Sequence, residues 1–132
     1  IHLRGVDVLA PEPLGTRDLV IGGGRILAMG HALDARGLGV DVETVDGHDL
    51  VAIPGLVDSL VHIGGGGGEG GFATRTPALD PRDAIAAGVT TLIGALGTDD
   101  VTRSHADLLA CARALRVHGL TALALTGSYR VP

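Results

Sequence analysis

Apolar residues follow two patterns along this chain, and the change falls at Pro54. Before it, short apolar runs are separated by glycine and proline. Ile1 to Leu9 reads as a strand with Leu3, Val6 and Val8 inward, stopped by Pro11 and Pro13. Arg17 to Ile21 and Arg25 to Met29 read as two strands joined through Gly22-Gly23-Gly24, a hairpin signal. Residues 30–40 show no period and read as a loop. Val42 to Val45 and Leu50 to Ile53 are short strands on either side of an Asp46-Gly47 turn. Short antiparallel strands at this spacing predict a small β-sandwich or sheet.

After Pro54, apolar runs alternate with helical spacing. Leu56 to Ile63 has the length and bulk of a buried strand, and a glycine loop interrupted by Glu69 follows it to Gly71. Asp80 is placed to cap a helix from Pro81 to Ala87, with Pro81 at its first position and Gly88 ending it. Val89 to Leu96 reads as a second buried strand. Ser104 and Asp107 form a capping pattern for a helix running to about His118, with Leu108, Leu109, Ala112 and Leu115 on one face. Leu120 to Leu125 reads as a third buried strand. Strands alternating with helices predict βα units. The expected fold is α/β: residues 1–53 as part of a small β-sandwich, and residues 54–132 as the first three βα units of an incomplete TIM-like barrel.

Composition narrows the partners. The chain has 132 residues, a formal net charge of -5 and no basic cluster, which argues against nucleic acid. All of its basic residues besides histidine are arginine. With one Phe, one Tyr and no Trp, the core rests on Val, Leu, Ile and Ala. Cys111 stands alone, so no internal disulfide forms, and a reducing, cytoplasmic setting is expected. No apolar stretch reaches the roughly 18 residues of a membrane span. His2, His31, His105 and His118 are assigned to the surface, and His48 to the side of a turn.

In an α/β sheet the chemistry sits at the carboxyl ends of the strands. His62 with Glu69, then Thr98, then Tyr129 stand at three successive ends. Strand alternation puts Asp58, Leu60 and His62 on one face. A His-x-His ending would aim two imidazoles at one point, but the first of those places is Leu60, and one imidazole is not a zinc site. Read alone, His62 is a strand-end residue and Thr98 a turn residue, while Glu69 is either a charge that keeps a glycine loop hydrated or a site residue, and Tyr129 either an aromatic plug or a site residue. The loop lacks the Gly-Lys-Ser/Thr ending of a phosphate cradle, and Glu69 would repel phosphate.

The stretch P-G-L-V-D-S-L-V-H-I-G-G-G-G-G-E-G-G, Pro54 to Gly71, resembles the amidohydrolase superfamily and within it the isoaspartyl dipeptidases. Those enzymes carry P-G-[FL]-[IV]-D-x-H-V-H before a glycine run and a Glu. The likeness begins at A-P-E (Ala10 to Glu12) and continues in T-R-T-P (Thr74 to Pro77), A-G-V-T (Ala87 to Thr90), L-G-T-D (Leu96 to Asp99) and T-G-S-Y-R-V-P (Thr126 to Pro132). It implies a zinc metallo-dipeptidase, homo-oligomeric at full length, in which two metal ions activate water against a β-aspartyl dipeptide. His62 matches one metal ligand. Gly67, Glu69, Thr98 and Tyr129 match positions that hold the substrate: Glu69 takes the free α-amino group, and Tyr129 acts on the scissile carbonyl as charge develops.

Two departures bear on activity. Leu60 stands where the family has a metal-binding His, and the family's metal-bridging lysine has no counterpart in a chain without lysine. The resemblance implies that further ligands and the catalytic Asp lie beyond Pro132. Two classes of function follow: a metallo-dipeptidase, or a non-catalytic fragment that keeps the peptide-holding loop and lacks the metals. The chain by itself is expected to be inactive.

Overall fold

The structure, a computed structural model, describes residues 1–99 and 101–127. The chain divides into two compact units, Ile1–Pro54 and Gly55–Pro132. Each contains one sheet, so the fold is mixed α/β with two sheets.

The first unit holds β1 (His2–Leu9), β2 (Pro13–Gly22), β3 (Arg25–Gly30), β4 (Thr44–Asp46) and β5 (Val51–Ala52), in the order β3-β2-β1-β4 with β5 also beside β1. Gly22 and Arg25 close the hairpin between β2 and β3. Gly23 and Gly24 turn it with φ of 58° and 72°, the positive pair that a two-residue turn of the right twist requires. Two expectations are corrected here. β2 begins at Pro13, paired with Leu9, not at Arg17, because a strand start tolerates the missing N–H. β4 and β5 run parallel to β1, not antiparallel (His2↔Thr44, Asp7↔Val51). They lie one after the other along the same edge of β1, and the Gly47 amide, between them, donates to the Arg4 carbonyl at 2.7 Å. The chain reaches that edge through residues 31–43, which include a 3-10 turn at Ala35–Leu38.

The core of this unit is Val6, Val8 and Leu19, with Leu3, Leu14, Ile21 and Ala52 packed on it. His2, expected at the surface, is 6 % exposed. The register shift in β1 between Leu3 and Val6 leaves it on the face of its partner Val20 and of Asp18, opposite Val6 and Val8, and its Nε2 lies 3.6 Å from Asp18 Oδ2. Asp18 is itself buried and accepts the amides of Gly5 and Leu33, both at 2.9 Å.

The second unit is a parallel sheet of β6 (Leu56–Val61), β7 (Val89–Gly94) and β8 (Thr121–Ala124), in that order. Helix α1 (Pro81–Ala86) connects the first two strands and α2 (His105–Val117) the last two. Asp80 caps α1 by accepting the Arg82 amide, and Gly88 follows the helix with φ of 75°. Ser104 and Asp107 form a complete capping box on α2. Leu108, Ala112 and Leu115 bury against Ile63, Leu92, Leu96, Leu120 and Ala122. Leu109, expected on that face, is exposed, because one residue turns a helix by about 100°.

The buried-strand expectation holds for β7 alone. Leu92 and Gly94 are buried there, whereas β6 exposes Leu56, Val57 and Leu60, and Leu123 and Leu125 in and after β8 are exposed too. β7 is central and paired on both sides; among the described residues, β6 and β8 each pair with β7 only.

Candidate functional site

β6 delivers His62 to its carboxyl end. The ring is exposed, and its Nδ1 lies 3.2 Å from the Ala95 carbonyl just past β7. It packs on the loop base: a Cβ on Gly66 would stand 2.8 Å from His62 Cδ2. Two residues back, the Leu60 side chain is 66 % exposed. Among the described residues no three His, Cys, Asp or Glu side chains cluster to hold a metal ion. Leu60 itself offers a metal ion nothing, since an alkyl group has no lone pair.

The glycine loop that follows is folded and pinned. Gly66 exchanges two bonds with Thr76: its carbonyl accepts the Thr76 amide at 2.9 Å, and its amide donates to Thr76 Oγ1 at 2.8 Å. Gly67 bridges antiparallel to Arg75. Glycine is required where the two segments touch. With φ of 93° and 72°, Gly65 and Gly67 would each place a Cβ 2.4 Å from a backbone carbonyl oxygen, of Thr76 and Thr74 respectively. The Gly71 amide donates to the Gly68 carbonyl at 3.0 Å, a turn with Glu69 at its exposed tip.

Two groups hold this loop to the end of β7. The Arg103 guanidinium donates to three carbonyls: Nη1 to Gly65 and Gly66 (2.9 Å to the latter), and Nη2 to Thr76 at 2.7 Å. Asp99, with its side chain only 2 % exposed, pairs with Arg75 Nε at 3.0 Å. Asp99 also accepts the Thr102 hydroxyl and, at 3.0 and 3.2 Å, the Thr102 and Val101 amides. These bonds, the Thr102 hydroxyl foremost, hold its carboxyl below the usual carboxylate range against the opposing effect of burial, with the Arg75 charge adding to them.

Of the residues singled out in the sequence, Gly67 and Thr98 meet, the Thr98 hydroxyl donating to the Gly67 carbonyl at 3.2 Å. His62 touches the base of the same loop, and Glu69 stands at its tip. Tyr129 lies outside the described residues. Sequence reasoning missed Arg103, Asp99, Arg75 and Thr76 as parts of the site. The last three sit inside T-R-T-P and L-G-T-D, and that was a usable signal. Arg103, which lies outside those motifs, gave none.

No protein-family model matches the chain. Among solved structures, it is similar to a beta-aspartyl dipeptidase from the thermophilic, keratin-degrading Fervidobacterium islandicum AW-1, with 44 % identity, a TM-score of 0.92, and coverage of 99 % of this chain and 35 % of that one. A second structure of that enzyme, in complex with a beta-Asp-Leu dipeptide, matches at the same identity and TM-score and is covered over 34 % of its length. A D-hydantoinase from a Bacillus sp. AR9 matches 83 % of this chain at 25 % identity and a TM-score of 0.58, over 22 % of its own length. The chain thus spans about a third of the length of the dipeptidase.

Proposed function

From the premise that this chain resembles about a third of a beta-aspartyl dipeptidase, a member of the amidohydrolase superfamily, we propose that it supplies the dipeptide-holding part of such a hydrolase. The observation that carries this reading is Glu69, set at the tip of a pinned glycine loop at the carboxyl end of a parallel strand. A carboxylate there pairs with the α-ammonium of a β-aspartyl dipeptide. Thr98 supports the loop backbone at Gly67, and Tyr129 is assigned to the scissile carbonyl. The relative solved with beta-Asp-Leu supports this substrate class. In the same reading, residues 1–53 form part of a composite β-domain, and residues 54–132 begin a (β/α) barrel that works in the cytoplasm.

Zinc is the metal of the resembled family. Here His62 would supply one ligand, and Leu60 supplies none. We therefore assign this chain, by itself, to binding and not to hydrolysis: it is a non-catalytic module that retains the peptide-holding loop.

Titration with beta-Asp-Leu, read by calorimetry, tests the binding; it is expected to saturate and to be lost in Glu69→Gln. Elemental analysis and a hydrolysis assay test the rest. The expected results are no stoichiometric zinc and no cleavage. Stoichiometric zinc together with chelator-sensitive cleavage by the unmodified chain would overturn the assignment. Leu60→His is expected to raise zinc uptake, because it creates the two-imidazole strand end.

A further inference from the structure

We propose that Arg103, together with the Asp99–Arg75 pair, is a positioning device: it fixes the shape of the 64–71 loop and through it the place of Glu69. The inference rests on the binding role given to that loop, but its first test does not.

A run of glycines is the segment of a chain with the most conformational freedom to lose, so an ordered one needs external restraint. The carbonyl oxygens of the buried Gly65 and Gly66 also need donors. One guanidinium meets both needs. Its planar fork reaches Gly65 and Gly66 on the outgoing strand of the loop and Thr76 on the returning strand, so it staples the two together. A lysine has the charge but not the fork.

The second restraint works from the side. Asp99 is locked by Thr102 and Val101, so its remaining capacity faces Arg75, the residue whose backbone bridges Gly67. A Cβ on Gly68 would lie 3.4 Å from Asp99 Cβ, so the carboxylate side chain is also the wall against which the loop rests. Arg103 thus fixes the base of the loop, the Asp99–Arg75 pair fixes its middle, and Glu69 comes next along the chain.

The test uses the whole chain with Arg103→Lys, Arg103→Gln and Asp99→Asn. Amide hydrogen exchange is read at Gly66, Thr76 and Gly71, with the β7 amides as the folding control. Loop exchange is expected to speed by about tenfold or more while β7 protection holds, since local opening and global unfolding are separate events. Calorimetric affinity for beta-Asp-Leu is expected to fall by about tenfold or more in the same variants, with the thermal midpoint of Arg103→Lys close to that of the unmodified chain. Unchanged loop exchange in both Arg103 variants overturns the proposal, and so does a loosened loop with unchanged dipeptide affinity. If Arg103→Gln loses β7 protection as well, Arg103→Lys, which keeps the charge and the alkyl stem, decides. If the unmodified chain binds no dipeptide, the binding reading falls, and loop exchange alone decides whether the clamp exists.

Discussion

Replacing Gly67 by alanine should open the loop without unfolding the sheet. The added methyl meets the Thr74 carbonyl oxygen at 2.4 Å, the Thr74 carbonyl carbon at 3.3 Å and Arg75 Cα at 3.4 Å. All three are backbone atoms, so no side-chain rotation relieves the overlap. The φ of 72° adds the cost of a left-handed conformation for an L-residue, about 1–2 kcal/mol. Forcing a methyl into filled space costs about 1–3 kcal/mol more. The sum is about 2–5 kcal/mol, and at about 1.4 kcal/mol per tenfold the loop-opening equilibrium should rise between roughly 30-fold and a few thousandfold. Gly71→Ala is the open-space control: nothing lies within 4 Å of the added methyl, and its φ of 100° with ψ of 172° leaves backbone strain alone, about 1–3 kcal/mol. Strain alone should give it roughly 5- to 150-fold. Amide exchange at Gly66 and Thr76, whose bonds cross the loop, reads the difference. Equal effects of the two substitutions would refute the close-approach argument. Loss of β7 protection in Gly67→Ala would show global unfolding and refute its local character.

Ser104→Ala removes one half of the capping box and should cost α2 about 1 kcal/mol, measured by urea unfolding. Leu92→Ala empties a fully buried place on the central strand and should cost about 2–5 kcal/mol by the same measurement, whereas Leu60→Ala, at an exposed place, should fall within about 0.5 kcal/mol of zero. Asp18 titrates below its ordinary 3.8, chiefly because the Gly5 amide bonds its charged form. A depressed folded value means stability that is present above 3.8 and lost as pH falls through the folded value. Melting of the chain should therefore show an acid-side decline that Asp18→Asn flattens while lowering stability at neutral pH; an unchanged acid slope in Asp18→Asn would sink this account.

The sequence determined what depends on neighbours a few residues apart. The Gly23-Gly24 turn, the Asp80 cap with Pro81, the Ser104–Asp107 capping box and the shift from β-only to alternating strand and helix are all local signals, and each lies where the chain pattern put it. The glycine loop with Glu69 and the dipeptidase likeness were legible for the same reason, as contiguous motifs. The tertiary structure decided what depends on pairing across long separations. Alternation shows two faces of a strand but not which edge receives it, so β4 and β5 turned out parallel to β1, and the apolar β6 an exposed edge. A histidine near the start of a chain looks solvated until a buried Asp18 sixteen residues away receives it. Arg103 looks like any surface arginine, and only the folded chain brings it to carbonyls 37 and 38 residues earlier. Side-chain hydrogen bonds to backbone carbonyls leave no pattern in a sequence, because every residue has a carbonyl to offer.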